Sequence, residues 1–355
     1  MKKWFIWPSL LVSLLLAPYV AQCQVEDGFK VWITEWDSGS LSTGYPIVEW
    51  TYDADAGFWD AELPLLDLPL IQNDQDYEGP IFDMGMDMIE LNGTLLAVLA
   101  VSKGDSHFPS KGTEFQIRKI NQDGFWAPIQ NPIHTTPAAV SPLGIDIFKA
   151  GNSLYLAWVE DNDADGPKSN KGEIYQMRLT QNADGTLAAV ESPVLIYSHT
   201  LNWGGTHPGN GGINGIAACD WDGDGDTDYA ISQMYYGDSP ASSGIFILLQ
   251  TAPGVWATSL KEVHWTSPGS GSEALTCCDI DGDNQLDFLK TNEAEGNWSQ
   301  VYWYEKNGDV LEPRDLIIDC GYEAQAYDFS VGHIFGLYAG EPVSTGTSVQ
   351  NWELQ

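Results

Sequence analysis

The sequence predicts an all-β protein built as a β-propeller of four-stranded antiparallel blades, and three observations support this prediction. Apolar runs stay short and are interrupted by 36 Gly and 19 Pro, so no amphipathic helix of useful length is expected. A pattern of strand, tight turn and strand recurs along the chain. Turn pairs such as Asn307-Gly308 follow the third strand of the repeat. Radial repetition of such units leaves few exposed strand edges, which favours a propeller.

The first strands of the repeat open at Gly85, Gly144 and Gly215. They are aligned by their ends, at Glu90, Lys149, Asp220, Asp279 and Asp328. These ends recur at roughly 50 to 70 residues, a spacing typical of a repeat architecture. Counting third strands, the last of them SVQNWEL near the C-terminus, favours six blades, with five or seven as open alternatives. The first unit lacks an evident innermost strand and the last lacks an outer one.

The first 23 residues have two lysines, then an apolar run, and end in small residues that suit a cleavage site, as in a secretory signal peptide. Residues 24–355 are then expected to form a single propeller domain that is secreted. A periplasmic location or a lipid anchor through Cys23 is the alternative. No later stretch approaches the roughly 20 apolar residues of a transmembrane helix.

The formal net charge of −35 limits the classes of partner. Repulsion disfavours nucleic acid and anionic membranes, whereas cations are attracted. The oligomeric state is left open. The chain has four cysteines beyond residue 23, namely Cys219, Cys277, Cys278 and Cys320. The sequence allows either a disulfide bridge between neighbouring units or buried free thiols.

Two Asp-rich loops, each placed between two predicted strands, indicate metal binding. Carboxylates at positions 1, 3, 5 and 9 repel one another until a hard cation neutralises them, and such oxygen ligands suit Ca²⁺. Position 7 offers its backbone carbonyl, and Gly225 and Asn284 occupy the sharp-turn position, where a positive φ is tolerated. The predicted ligands are Asp220, Asp222, Asp224, Asp226 and Asp228 in the first loop, and Asp279, Asp281, Asp283, Gln285 and Asp287 in the second. The glutamate that an EF-hand needs at position 12 is missing from both loops.

These stretches, DWDGDGDTD and DIDGDNQLD, resemble the calcium loops of FG-GAP or VCBS repeats, found in integrin alpha-chain propellers and many secreted proteins. The resemblance implies about two bound Ca²⁺ and a loop that joins the first two strands of a blade. The LNG turn at 91–93 and the AGN turn at 150–152 align with these loops but lack the carboxylates.

No nucleophile elbow, zinc-protease or nucleotide motif appears, so the sequence favours a binding or adhesion module for carbohydrate or an extracellular protein. The alternative is a polysaccharide lyase that acts on an acidic polysaccharide through His207, His134 or His199. These histidines are predicted to share one face, opposite the calcium loops. Trp203, near His207, is a candidate sugar-stacking residue.

Overall fold

The computed structural model describes residues 29–35, 47–53, 55, 58–62, 84–102, 112–120, 126–137, 142–162, 171–200, 212–235, 242–266, 270–271, 274–294, 297–319 and 334–340. All regular structure in these residues is β-strand. The strands of the first half are β1 (Lys30–Glu35), β2 (Ile47–Asp53), β3 (Phe58–Glu62), β4 (Met84–Leu91), β5 (Thr94–Ser102), β6 (Thr113–Ile120), β7 (Trp126–Pro128), β8 (His134–Thr135), β9 (Pro142–Ala150), β10 (Ser153–Asn162), β11 (Lys171–Gln181), β12 (Leu187–Ala189) and β13 (Val194–Thr200). The strands of the second half are β14 (Gly212–Cys219), β15 (Asp228–Tyr235), β16 (Ser242–Leu248), β17 (Gln250–Ala252), β18 (Val255–Trp256), β19 (Lys261–Thr266), β20 (Ser270–Gly271), β21 (Leu275–Cys278), β22 (Asp287–Ala294), β23 (Asn297–Asn307), β24 (Val310–Asp319) and β25 (Ile334–Gly340).

These strands form five antiparallel sheets of four or five strands within the described residues, and one short hairpin, β17-β18. Blade 1 has the order β25-β1-β2-β3, blade 2 β4-β5-β6-β7, blade 3 β9-β10-β11-β12, blade 4 β14-β15-β16-β19 and blade 5 β20-β22-β23-β24. The extra strands β8, β13 and β21 pair with β6, β11 and β22. The innermost strands contact one another in a closed ring, β25 to β4, β9, β14, β21 and back to β25. The predicted all-β propeller is therefore confirmed.

The predicted count of six blades is wrong, and the reason lies in how the ring closes. Strand β25, from the C-terminal end, pairs antiparallel with β1 from the N-terminal end, with Ile33 opposite Leu337. The incomplete first and last units of the sequence are therefore two parts of one blade. The described sheets number five, one of the alternatives left open, while SVQNWEL and the aligned Asp328 lie outside the described residues.

Two glycines that open the repeat lie where innermost strands of neighbouring blades come close together. A Cβ on Gly144 would lie 2.6 Å from the carbonyl oxygen of Asn214, and one on Gly215 would lie 2.8 Å from the amide nitrogen of Leu275. A side chain at either position would collide with backbone, so glycine is required at the narrow centre of the ring.

The hydrophobic core lies between the blades. Phe115 and Trp158 pack between blades 2 and 3, with ring centroids 4.9 Å apart. Phe148 and Tyr229 pack between blades 3 and 4, and Trp221 and Phe288 between blades 4 and 5. These buried aromatic rings therefore fill the space between neighbouring blades.

The three described cysteines, Cys219, Cys277 and Cys278, are free thiols, so no bridge forms among them, and Cys320 lies outside the described residues. Burial raises the pKa of each of these three thiols. No described helix is long and apolar enough to cross a membrane.

Candidate functional site

The propeller has two faces, which are defined here by its loops. The lower face carries the connections between first and second strands, at 92–93, 151–152, 220–227 and 279–286. The upper face is the opposite end of the same strands. Both Asp-rich loops thus join the first two strands of their blades, at the position that their resemblance implied, and the LNG and AGN turns occupy the same position in blades 2 and 3.

Each Asp-rich loop is folded around the carboxylate at its first position. Asp220 accepts hydrogen bonds from the amides of Gly223 at 2.8 Å and Gly225 at 3.1 Å. Asp279 accepts from Asp283 at 3.1 Å and Asn284 at 2.8 Å. The backbone φ is +87° at Gly225 and +62° at Asn284, which confirms the predicted sharp turn.

Three carboxylates in each loop converge closely enough to share a cation. The oxygens of Asp220, Asp222 and Asp224 lie within 4.8 Å of one another, and the same holds for Asp279, Asp281 and Asp283. Oxygen-only donors at this density fit a hard divalent ion such as Ca²⁺. The predicted ligands at positions 1, 3 and 5 of each loop are thus brought together. The backbone carbonyls of Asp226 and Gln285 remain predicted ligands.

The aspartates at the ninth position accept hydrogen bonds from backbone amides. Buried Asp228 accepts from the amide of Trp221 at 2.8 Å and from that of Gln250 at 2.9 Å. Buried Asp287 accepts from the amide of Ile280 at 3.0 Å. Burial raises the pKa of Asp228 to about 6 and that of Asp287 to about 7. Both side chains close the loop, and their direct contact with a metal stays a prediction.

On the upper face, the structure brings two of the three predicted histidines to neighbouring blades. His134 lies in β8, where its ring stacks on Phe115 at 5.7 Å, and burial lowers its pKa. His199 lies in β13, opposite Gly172 of β11. Both are at the end of their strands away from the Asp-rich loops, as predicted. His207 and Trp203 lie outside the described residues.

A first cluster of acids, absent from the prediction, lies where the innermost strands meet. Asp87 of β4 accepts from the amide of Ile147 at 2.7 Å, and Asp146 of β9 accepts from the amide of Ala218. Burial and the neighbouring Asp146 carboxylate raise the pKa of Asp87 well above its usual value, and burial raises that of Asp146 to about 6. Both carboxyls therefore favour the protonated form at this contact between neighbouring blades.

A second cluster lies near the upper end of blade 3. Glu160 of β10 and Glu173 of β11 are directly opposite across the antiparallel pair. Glu160 is buried and accepts from the indole Nε1 of Trp158 at 2.9 Å, and burial raises its pKa to about 7. Glu173 is half-buried and accepts from the hydroxyl of Tyr175 at 2.9 Å and from Ser198 at 3.4 Å.

The sequence does carry a signal for the first cluster. GMDM and GIDI place an aspartate at the same position of two otherwise apolar innermost strands, three residues before Glu90 and Lys149. A charged residue inside a buried strand needs a specific partner. Glu160 and Glu173 have no such signal, because their pairing depends on the register of two strands that are separated in sequence by residues 163–170.

Comparison with known proteins identifies the fold but no sequence family. The chain matches no family model and no curated protein. It is similar to an exo-1,5-α-L-arabinanase from a bovine ruminal metagenomic library, with a TM-score of 0.55, 13% identity and coverage of 82% of this chain and 94% of that one. It is also similar to a thermostable family-43 glycoside hydrolase, with a TM-score of 0.52, 12% identity and coverage of 82% of this chain and 96% of that one. For a levansucrase variant from B. megaterium, the TM-score is 0.52 and the identity 8%, with coverage of 85% of this chain and 84% of that one.

These likenesses correct the predicted function. The sequence favoured a binding or adhesion module without catalysis, with a polysaccharide lyase as the alternative, but the solved structures that share the ring include glycoside hydrolases. The error has a physical cause: the repeated loops describe the scaffold, and a scaffold does not by itself determine a function.

Proposed function

We propose that this protein is a carbohydrate-active enzyme, a glycoside hydrolase whose active site lies on the upper face of the ring. The observation that carries the proposal is the shared ring itself, which extends over 82% of this chain and 94% of an exo-1,5-α-L-arabinanase. Carbohydrate is then a substrate rather than an adhesion ligand.

Glycoside hydrolysis requires two carboxyl groups with different protonation states, one that donates a proton and one that acts as nucleophile or base. The described residues supply carboxyls whose pKa is raised towards the range of a general acid, about 6 for Asp146 and about 7 for Glu160. Burial is the largest cause in both cases. Such groups are typical of catalytic sites as well as of buried structural ones.

The test is hydrolysis of defined glycans by the full chain with calcium present. We expect new reducing ends from at least one of 1,5-α-arabinan, arabinoxylan and levan, or release of nitrophenol from an aryl arabinofuranoside or xyloside. The products should show no absorbance from an unsaturated sugar, since hydrolysis adds water across the broken bond. Absence of turnover on the whole panel, or an unsaturated product, would contradict the proposal.

We also propose that the two Asp-rich loops hold Ca²⁺ as a structural ion on the lower face, away from the active site. The support is the convergence of three carboxylates in each loop and their resemblance to FG-GAP or VCBS loops. Export through the signal-like residues 1–23 is consistent with this role, because extracellular calcium is abundant enough to keep weak sites occupied.

A further inference from the structure

The two Asp-rich loops lie on consecutive blades, and one residue contacts both of them. Lys306 lies at the lower end of β23, the third strand of blade 5. Its backbone amide donates to the carbonyl of Leu286, the last residue of the second loop, at 3.2 Å. Its side-chain Nζ donates to the carbonyl of Trp221, the second residue of the first loop. Lys306 therefore joins the backbones of the two loops.

The contact with the first loop is made at the most buried residue of that loop. Trp221 is 1% exposed and packs in the core cluster between blades 4 and 5. Nζ of Lys306 lies 4.8 Å from the centre of its ring, a geometry that favours a cation–π contact. The same ring has its centre 6.2 Å from that of Phe288 in β22, the strand that follows the second loop. The Trp221 side chain is therefore held by blade 5 at two points.

Trp221 is also held from inside its own loop. Its amide donates to Asp228 at 2.8 Å, and the rest of the loop is folded around Asp220. Opening of the first loop therefore displaces the carbonyl that Lys306 contacts. Opening of the second loop releases the backbone of Lys306 from Leu286. The full set of Lys306 contacts exists only when both loops are closed.

We propose that the two Asp-rich loops open and close as one unit, with Lys306 as the link between them. Because its contacts need both loops closed, closing one loop favours closing the other. Resting on the proposed Ca²⁺ role, an ion that orders one loop lowers the entropic cost of ordering the other, and the two ions bind cooperatively. Blades 4 and 5 then respond to Ca²⁺ together.

Hydrogen exchange followed by mass spectrometry, with excess Ca²⁺ present, tests the link. Asp279→Ala removes the acceptor of the Asp283 and Asn284 amides and so opens the second loop directly. We expect exchange in residues 220–227 to rise at least about five-fold as well, the lower end of typical coupling between sites. Lys306→Met keeps the backbone hydrogen bond but removes the side-chain contacts. In that chain Asp279→Ala should no longer affect the first loop.

Lys261→Met is the matched control. Nζ of Lys261 lies 5.9 Å from the centre of the same Trp221 ring and pairs with Asp309 of blade 5 at 2.7 Å. Within the described residues it has no hydrogen bond to the backbone of either loop. The effect of Asp279→Ala on the first loop should persist in this chain. Exchange in β10, in the core of blade 3, reports on global opening and should stay at the wild-type level.

The link would be overturned by unchanged exchange of the first loop in Asp279→Ala, or by a rise that survives Lys306→Met. A rise that Lys261→Met also removes, or an equal rise in β10, would overturn it too. Exchange of the wild-type loops is also measured with chelator. Equal exchange with chelator and with Ca²⁺ would contradict the proposed Ca²⁺ role, while the comparison with Lys306→Met still decides the link.

Discussion

At the scale of single residues, Asp87 and Asp146 explain how backbone amides at the inner edge of the ring find hydrogen-bond acceptors. An innermost strand is an edge strand, and its outward amides need acceptors. Asp87 supplies one to Ile147 of blade 3, and Asp146 supplies one to Ala218 of blade 4. These two hydrogen bonds are thus part of the link between consecutive blades.

We predict that Asp87→Asn raises the free energy of unfolding at pH 8. Burial raises the pKa of both carboxyls in the folded state, to about 6 for Asp146. Their stabilising contribution is therefore complete below the unfolded value near 4 and is lost as pH rises through the folded value. The amide of Asn keeps an acceptor for Ile147 and a donor for Asp146 without ionising.

Denaturant unfolding at pH 5 and pH 8, with calcium held constant, measures this effect. The variant should gain roughly 1 kcal/mol or more over wild type between the two pH values, since one pKa unit is about 1.4 kcal/mol. Asp87→Ala, which removes both hydrogen bonds, is the control and should lose stability at both pH values. A pH-independent difference for Asp87→Asn would contradict the raised pKa of these carboxyls.

At the scale of elements, the two Asp-rich loops have the same internal design. The second residue of each, Trp221 or Ile280, is buried, and its amide is held by the aspartate at the ninth position. In the first loop Lys306 of blade 5 donates to the carbonyl of Trp221 and lies 4.8 Å from the centre of its ring. This loop therefore ties blade 4 to blade 5 as well as joining two strands.

We predict that chelation of calcium lowers the melting temperature, because an ion bound only by the folded chain stabilises it by about 2.7 kcal/mol per site at 100 times its Kd. Asp222→Asn and Asp281→Asn should each remove part of this sensitivity, and the double variant should remove it. Asp184→Asn, in an exposed turn of blade 3, is the control. Circular dichroism and calorimetric titration with Ca²⁺ measure both effects. An unchanged midpoint with chelator would contradict structural calcium.

At the scale of the whole molecule, the ring closes by pairing the two ends of the described chain. Strand β25 provides the innermost strand of blade 1 and contacts the innermost strands of blades 2 and 5. Without it, β1 would face the centre of the ring with an unpaired edge. Closure therefore stabilises the first blade by pairing this edge.

We predict that deleting residues 334–355 makes blade 1 protease-sensitive, because β1 loses its partner while the other four sheets keep theirs. Limited proteolysis followed by mass spectrometry should find early cleavage within 30–62 in the truncated chain. Deleting only residues 345–355, which leaves β25 in place, is the control and should preserve resistance. Equal resistance of both truncated chains would contradict closure through β25.

Much of this architecture was predictable because it depends on local chemistry that repeats. Short apolar runs, turn pairs and the opening glycines predicted an all-β propeller, and the Asp spacing predicted both loops, including the positive φ at Gly225 and Asn284. The blade count was not predictable, because β25 and β1 are far apart in sequence and their pairing leaves no local pattern.

The sequence by itself determined the class of fold, the placement of the two Asp-rich loops and the face on which His134 and His199 lie. Only the tertiary structure decided that five sheets close the ring, that Asp87 and Asp146 accept hydrogen bonds from the next blade, and that Glu160 is opposite Glu173. The conformation of a turn depends on residues that are adjacent in the sequence. The partners of a buried carboxyl depend on strand register and on blade-to-blade contacts, which only the folded ring brings together.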